Sequence, residues 1–228
     1  MEHELRTLAL ELWKRYSVAS PHEEARKYRN PYSEIMVKYA YSEGAKLQTI
    51  LSAQDTQIVI GGSLGYGAAI IGGYDIDMRI LFPPTENAKE RLQDASVKLH
   101  TLAGFDAGKI VGEAKNIYHH YKQVKINGLP GDADAYLTLN IQVQSEYVGM
   151  ADIAKLLPET VVERLIVAKG LSAQDGEDAY ETVKGHWKSL LRLLAGNGFG
   201  KATPEERLSL LNRAQEAYPL FLKRSSIS

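Results

Sequence analysis

The sequence QIVIGGSLGYGAAIIGGYDID, residues 57–77, contains a Gly-Gly-Ser turn and, after a gap of eleven residues, two aspartates separated by one residue. The run Gln57–Ile60 is rich in β-branched residues, which predicts a buried strand that ends at the glycines. Asp75 and Asp77 fall on a second predicted strand, Tyr74–Phe82. Because alternate residues of a strand share a face, we expect both carboxylates on the same side of a sheet.

This combination of residue types predicts a site for a metal ion and for phosphates. Magnesium prefers oxygen ligands and is usually bound by one or two carboxylates together with substrate phosphates, which Asp75 and Asp77 suit. Gly61 and Gly62 allow close approach to the backbone, and Ser63 offers a hydroxyl at a predicted helix start, where the dipole favours anions. Two like charges on one sheet face are also unfavourable without a cation or another partner.

The composition sets limits on the class of protein. The chain has 228 residues, of which 44% are hydrophobic and 24% charged, and its net charge is −1. These values are ordinary for a globular protein and exclude a strong overall attraction to nucleic acid or membranes. The sequence has no cysteine, which excludes disulfides and thiolate metal sites. The N-terminus does not resemble a signal peptide, so we expect a cytoplasmic protein without a membrane span.

Helical patterns lie on both sides of the predicted strands. The first fifty-odd residues have apolar residues at helical spacing, with helix starts expected at Ser20-Pro21 and Asn30-Pro31. Helical sequence returns after Met150, so we expect a division into residues 1–149 and 150–228. The other predicted elements are a short helix through Ala68–Ile71, helix Thr85–Ala103, strands Lys109–Val111, Tyr118–Ile126 and Ala135–Val143, and helices Pro158–Ala168, Asp175–Ala195 and Pro204–Lys223.

The segments Ile60-Gly61-Gly62-Ser63 and Asp75-Ile76-Asp77-Met78, with the gap between them, resemble the signature of the DNA polymerase β-like nucleotidyltransferase superfamily. In that superfamily a strand leads into Gly-Gly-Ser or Gly-Ser, and an acidic-apolar-acidic sequence follows on the next strand. The resemblance covers Thr56 to about Val143 and identifies no subfamily. It implies an α/β (α+β) fold, in which a small mixed sheet forms a nucleotidyltransferase core flanked by N-terminal and C-terminal helices.

The resemblance also implies an activity and a set of ligands. A nucleoside monophosphate would pass from a nucleoside triphosphate to an acceptor hydroxyl, assisted by Mg²⁺ or Mn²⁺ on Asp75 and Asp77. Gly61, Gly62 and Ser63 would hold the triphosphate. By alternation Arg79 shares the face of the two aspartates, where it either steadies the triphosphate or pairs with the carboxylates.

The superfamily usually adds a third acidic residue from a later strand, and two interpretations of this chain remain open. Asp132 and Asp134 precede the strand Ala135–Val143, and Asp134 could reach the metals from its edge. Alternatively Asn140, in mid-strand, occupies the acidic position as a neutral ligand that cannot act as a base. The first interpretation, with Asp134 as catalytic residue and metal ligand, predicts an enzyme. The second predicts a catalytically degenerate nucleotide-binding or protein-interaction module.

The sequence leaves the acceptor open. It could be a small molecule, an RNA end or a protein side chain. The near-neutral charge argues against a long nucleic-acid groove.

Overall fold

The computed structural model describes residues 2–106, 109–110, 117–130, 133–144, 154–155, 157 and 159–195. The strands in these residues are β1 (Gln57–Ile60), β2 (Asp75–Phe82), β3 (Lys109–Ile110), β4 (Tyr118–Val124) and β5 (Ala135–Val143). The helices are α1 (Glu2–Trp13), α2 (Pro21–Tyr28), α3 (Ser33–Ile50), α4 (Gly62–Gly65), α5 (Ala88–Ala103), α6 (Glu159–Gln174) and α7 (Glu177–Ala195). The predicted class, a small mixed sheet with helices before and after it, is confirmed.

The five strands form one sheet in the order β1-β2-β5-β4-β3. The central strands β2 and β5 run parallel, and the other neighbouring pairs are antiparallel. A parallel pair needs a long crossover, and the chain between β2 and β5 includes α5 for that purpose. This order places the turn after β1 on one side of β2, and places β5 and β4 on the other.

The two faces of the sheet differ in polarity. Ile76, Met78 and Ile80 of β2 are fully buried, as are Leu137 and its alternate neighbours on β5. On this face α3 packs on β1 and β2, while α5 packs on β4 and β5. The opposite face carries Asp75, Asp77 and Arg79 of β2 and their neighbours on β5, and the alternation ends at Leu81 and Gln142, which are buried. The alternation of apolar and polar residues in the sequence therefore leaves one face of β2 and β5 lined mainly by polar side chains, where a binding site can form.

The chain contacts divide the protein into two compact units. One comprises Met1–Asn30, Tyr66–Gly73 and Val148–Ser228, and the other comprises Pro31–Gly65 and Tyr74–Tyr147. The second unit contains the whole sheet, with α3, α4 and α5. The domain division predicted from the sequence, 1–149 and 150–228, is a different one and stays a prediction.

The helical unit has its own core. Leu12 and Trp13 of α1 are buried together with Leu165 of α6 and Leu190 of α7. Segment 66–73 belongs to the same unit, since buried Lys169 of α6 donates a hydrogen bond of 2.7 Å to the carbonyl of Ala68. In the described part of the chain no helix is both long enough and apolar enough to cross a membrane.

Most predicted elements are present, with one error close to the Gly-Gly-Ser turn. The helix expected to run through Ile71 ends at Gly65. Gly67 has a positive φ of 77° and Ile70 forms a β-bridge with Arg29, so neither continues a helix. Helix α6 is longer than expected and reaches Gln174. The helix predicted at Pro204–Lys223 lies outside the described residues.

Candidate functional site

The Gly-Gly-Ser turn lies directly against Asp77. The amide of Gly61 donates a hydrogen bond of 2.7 Å to the carbonyl of Asp77, which extends the β1–β2 pairing beyond β1. Gly62 has a φ of +57°, and a Cβ placed there would lie 1.9 Å from Oδ2 of Asp77. Only glycine fits this position, because it tolerates the positive φ and leaves room for the carboxylate.

Asp75, Asp77 and Arg79 occupy the polar face of β2, as the alternation predicts. Asp75 is exposed, and Asp77 and Arg79 are partly buried. The Arg79 side chain lies beside the turn, since a Cβ on Gly61 would be 3.7 Å from its Nε. Its Nη1 donates a hydrogen bond of 3.4 Å to Oε1 of Gln142 on β5. The structure thus brings Gly61, Gly62, both aspartates and the guanidinium together at one place on the sheet.

Asp134 precedes β5, and its carboxylate is engaged on the side of β5 away from β2. It forms an ion pair with Nζ of Lys125 and accepts a hydrogen bond from Nε2 of Gln123, both on the β4 side. The ammonium of Lys125 beside it lowers the pKa of the Asp134 carboxyl below its usual range, and the bond from Gln123 adds to this effect. Asp132, the other acidic candidate, lies outside the described residues.

Neutral residues of β5 lie directly opposite the site residues of β2. Register places Tyr136 opposite Asp75, Thr138 opposite Asp77 and Asn140 opposite Arg79. Oδ1 of Asn140 is 2.7 Å from Nδ1 of His119 on β4, so the imidazole N–H donates to the amide oxygen. Within the described residues, no cluster of three or more histidine, aspartate or glutamate side chains is arranged to hold a metal.

The donor set suits a hard divalent cation. Two carboxylates on one face, next to backbone that approaches closely at Gly62, are oxygen groups of the kind that Mg²⁺ and Mn²⁺ bind. The thiolates and paired imidazoles that zinc prefers are not part of this face in the described residues, where His119 is bonded to Asn140. The two carboxylates of Asp75 and Asp77 therefore fit magnesium or manganese.

Two residues of the polar face were not singled out from the sequence. Tyr121 of β4 and Tyr136 of β5 are 49% and 52% exposed, so each presents much of its ring to solvent. Alternation places Tyr136 on the face of Thr138 and Asn140, and a large aromatic among polar residues was the available signal. Because the chain contains thirteen tyrosines, this signal did not distinguish Tyr136 from the others.

No protein-family model matches the sequence, and neither does any curated protein. Among solved structures, the chain is similar to a cytoplasmic RNA terminal U-transferase at 17% identity and a TM-score of 0.39, over 75% of this chain and 45% of that one. It is also similar to Cid1 poly(U) polymerase with MgGTP bound, at 16% identity and a TM-score of 0.43, over 87% of this chain and 72% of the other.

A third similar structure is the GLD-2/RNP-8 complex, at 11% identity and a TM-score of 0.46, over 96% of this chain and 76% of the other. The chain spans less than half the length of the RNA terminal U-transferase. All three TM-scores are below 0.5.

Proposed function

We propose that this chain binds a nucleoside triphosphate with a divalent cation and transfers its nucleoside monophosphate to an acceptor hydroxyl. The observation that carries the proposal is the contact between Gly62 and the carboxylate of Asp77, on a face shared with Asp75. A glycine turn at a helix start and a pair of carboxylates have separate uses in proteins. Their close contact is what binding of metal and phosphate together requires.

Each residue of the site has a stated role in this proposal. Asp75 and Asp77 hold the cation, which neutralises charge on the phosphates when it is bound. Gly61, whose amide is bonded to the Asp77 carbonyl, holds the turn against β2 close to the phosphates. The amide of Gly62 and the hydroxyl of Ser63 bind phosphate oxygens, and Arg79 adds a positive charge next to them. The acceptor oxygen forms a bond to the α-phosphorus, the bond from that phosphorus to the β-phosphate oxygen breaks, and pyrophosphate leaves.

The proton of the acceptor hydroxyl needs a base, and Asp134 is the proposed one. In the described structure its carboxylate is bonded to Lys125 and Gln123, so it must exchange these partners to act as base and as third ligand. A carboxylate with a lowered pKa is ionised at neutral pH and able to bind a cation. The role of Asp134 therefore requires a rearrangement near the start of β5.

A second candidate function is nucleotide binding without transfer. Two observations favour it. Asp134 is bonded on the side away from β2, and the residues of β5 opposite Asp77 and Arg79 are the neutral Thr138 and Asn140. In this case Asp75, Asp77 and the turn bind the nucleotide and its cation, and no base accepts the acceptor proton.

Two measurements test the proposal and separate the candidates. Calorimetric titration with each nucleoside triphosphate and Mg²⁺ should show binding, and Asp75→Asn and Asp77→Asn should each weaken it while Asp178→Asn, at an exposed position on α7, should not. No binding by the wild type at millimolar nucleotide would refute both candidates. Transfer from a nucleotide labelled at its α-phosphate then separates them. An enzyme transfers the label and loses this activity in Asp134→Asn, whereas a binding module transfers no label even as the wild type.

A further inference from the structure

The polar face of the sheet carries two half-exposed tyrosines next to the proposed metal site. Tyr136 lies directly opposite Asp75, and Tyr121 lies opposite Thr138, which itself faces Asp77. In the register Tyr121 and Tyr136 are therefore diagonal neighbours on β4 and β5, a distance that aromatic side chains can bridge. Their exposed fractions, 49% and 52%, leave ring surface available for contact.

The two rings lie on the side of the carboxylates where the acceptor, rather than the triphosphate, would bind. The turn proposed to hold the triphosphate follows β1, on one side of β2. The tyrosines belong to β5 and β4, on the other side of β2. In an in-line displacement the attacking and leaving oxygens lie on opposite sides of the phosphorus. With the pyrophosphate on the β1 side, the acceptor approaches over β5 and β4.

We propose that Tyr121 and Tyr136 stack on bases of the acceptor, and that the acceptor is the 3′ end of a single-stranded nucleic acid. This inference rests on the proposed function, because it concerns the second substrate of the same site. Exposed aromatic rings on a sheet bind the planar bases of single strands, and the stacking does not depend on base identity. Two neighbouring rings on one sheet face suit successive bases of such a strand.

Polar groups around the tyrosines complement such a strand. Gln123 lies opposite Tyr136 and Thr138 lies opposite Tyr121, so groups able to hydrogen-bond to base edges are next to both rings. Lys125 follows β4, with 68% of its side chain exposed, and its ammonium is paired with Asp134. A strand at this edge would offer that ammonium a backbone phosphate in exchange for Asp134. With a net charge of −1, the chain suits a short single-stranded segment better than a long duplex.

Binding of labelled oligonucleotides, followed by fluorescence anisotropy without nucleotide, tests the inference independently of transfer. The probes are short single strands of RNA and of DNA, and a strand of equal length that lacks bases at its 3′ end. The wild type should bind at least one of the base-bearing strands and should bind the abasic strand about tenfold more weakly. The RNA and DNA arms identify which sugar the site accepts.

Variants assign the binding to the two rings. Tyr121→Ala and Tyr136→Ala should each weaken oligonucleotide binding by roughly tenfold, and the corresponding phenylalanine variants should bind like the wild type. Tyr41→Ala is the matched control, because Tyr41 is 53% exposed on α3, in the same unit. Triphosphate and magnesium binding should be unchanged in all of these variants.

The outcomes separate this inference from the function on which it rests. Wild-type protein that binds triphosphate through Asp75 and Asp77 but binds no oligonucleotide overturns the inference alone. Equal affinity for the abasic strand, or alanine variants that bind like the wild type, also overturns it. Protein that binds no triphosphate overturns the proposed function together with the inference.

Discussion

Oδ2 of Asp77 lies so close to Gly62 that a Cβ on that residue would be 1.9 Å from it. The two residues are fifteen positions apart in the sequence and come together because β1 and β2 pair antiparallel, with Gly61 bonded to the carbonyl of Asp77. The turn and the carboxylate therefore form one structural feature. A substitution at either residue should therefore displace the other. We expect binding at the proposed site to be most sensitive to substitutions at this contact.

Gly62→Ala should abolish binding of magnesium and triphosphate. The new methyl group displaces the Asp77 carboxylate, and the positive φ of 57° strains the backbone by about 1–2 kcal/mol. Gly67→Ala is the control, since Gly67 has a φ of +77° and no heavy atom within 4 Å of an added Cβ. Chemical denaturation should show a loss of stability in both variants, at least as large in Gly62→Ala, where the clash adds to the strain. Calorimetry should show a loss of binding in Gly62→Ala only, and equal binding by the two would contradict the role of the contact.

Lys125→Met should strengthen magnesium-dependent binding of triphosphate by a few-fold. Removing the ammonium ends the main competition for the Asp134 carboxylate and returns its pKa towards the ordinary value. Lys46→Met is the control, because Lys46 forms a comparable exposed ion pair with Glu43 on α3, away from the polar face. Titration of magnesium at fixed nucleotide measures the effect. An unchanged affinity in Lys125→Met would indicate that Asp134 does not join the site.

Asp75→Asn and Asp77→Asn should each lower the rate of transfer by more than about a hundredfold, because outer-shell partners of a metal alone are worth about 10–100-fold. Both replacements keep the size of the side chain and remove one negative charge. Circular dichroism should show unchanged folding, and thermal stability should be equal or higher, since two like charges on one face repel. A rate within a few-fold of the wild type in either variant would place the cation elsewhere.

Gly170→Ala should destabilise the helical unit by about 1–3 kcal/mol. Gly170 lies within α6, and an added Cβ would be 2.2 Å from Cγ of the Tyr28 ring. Gly185→Ala in α7 is the matched helical control, because nothing lies within 4 Å of its Cβ position and alanine favours a helix by up to about 1 kcal/mol. Urea denaturation should therefore move the two midpoints in opposite directions. A stabilised Gly170→Ala would show that Tyr28 can shift without loss.

Stability should decrease as the pH falls below 6.5, and part of this decrease should come from His120. Burial lowers the pKa of its imidazole below the ordinary 6.5, although a hydrogen bond to the carbonyl of Asp106 opposes the shift. Between the two pKa values the unfolded chain binds a proton that the folded protein does not, so acid favours unfolding in this window. Above pH 6.5 the residue has no such effect.

The pH dependence is measured from urea midpoints at pH 7.5 and pH 5.5. His120→Asn keeps a donor for the Asp106 carbonyl but cannot take up a proton, so its midpoints should differ less than those of the wild type. His3→Gln, at an exposed position on α1, should retain the full difference. A His120→Asn variant with the wild-type difference would assign the effect to other groups.

The sequence by itself determined the local features of this protein. β-branched runs and alternation specify β1, β2 and β5, and because side chains on a strand alternate strictly, they also specify that Asp75, Asp77 and Arg79 share a face. The positions of Gly61 and Gly62 after a strand predicted the turn. These are properties of neighbouring residues, which the chain fixes without reference to distant segments.

Only the tertiary structure decided which distant groups meet. The closeness of Gly62 to Asp77, the bonds of Asp134 to Lys125 and Gln123, and the exposed tyrosines opposite Asp75 and Thr138 all follow from strand register. The grouping of the first thirty residues with the later helices depends likewise on packing between remote segments. Alternation placed Asp134 on a face, but a carboxylate at the end of a strand can bond to either neighbouring strand. Which strand the Asp134 carboxylate bonds to depends on where the tertiary structure places the ammonium of Lys125.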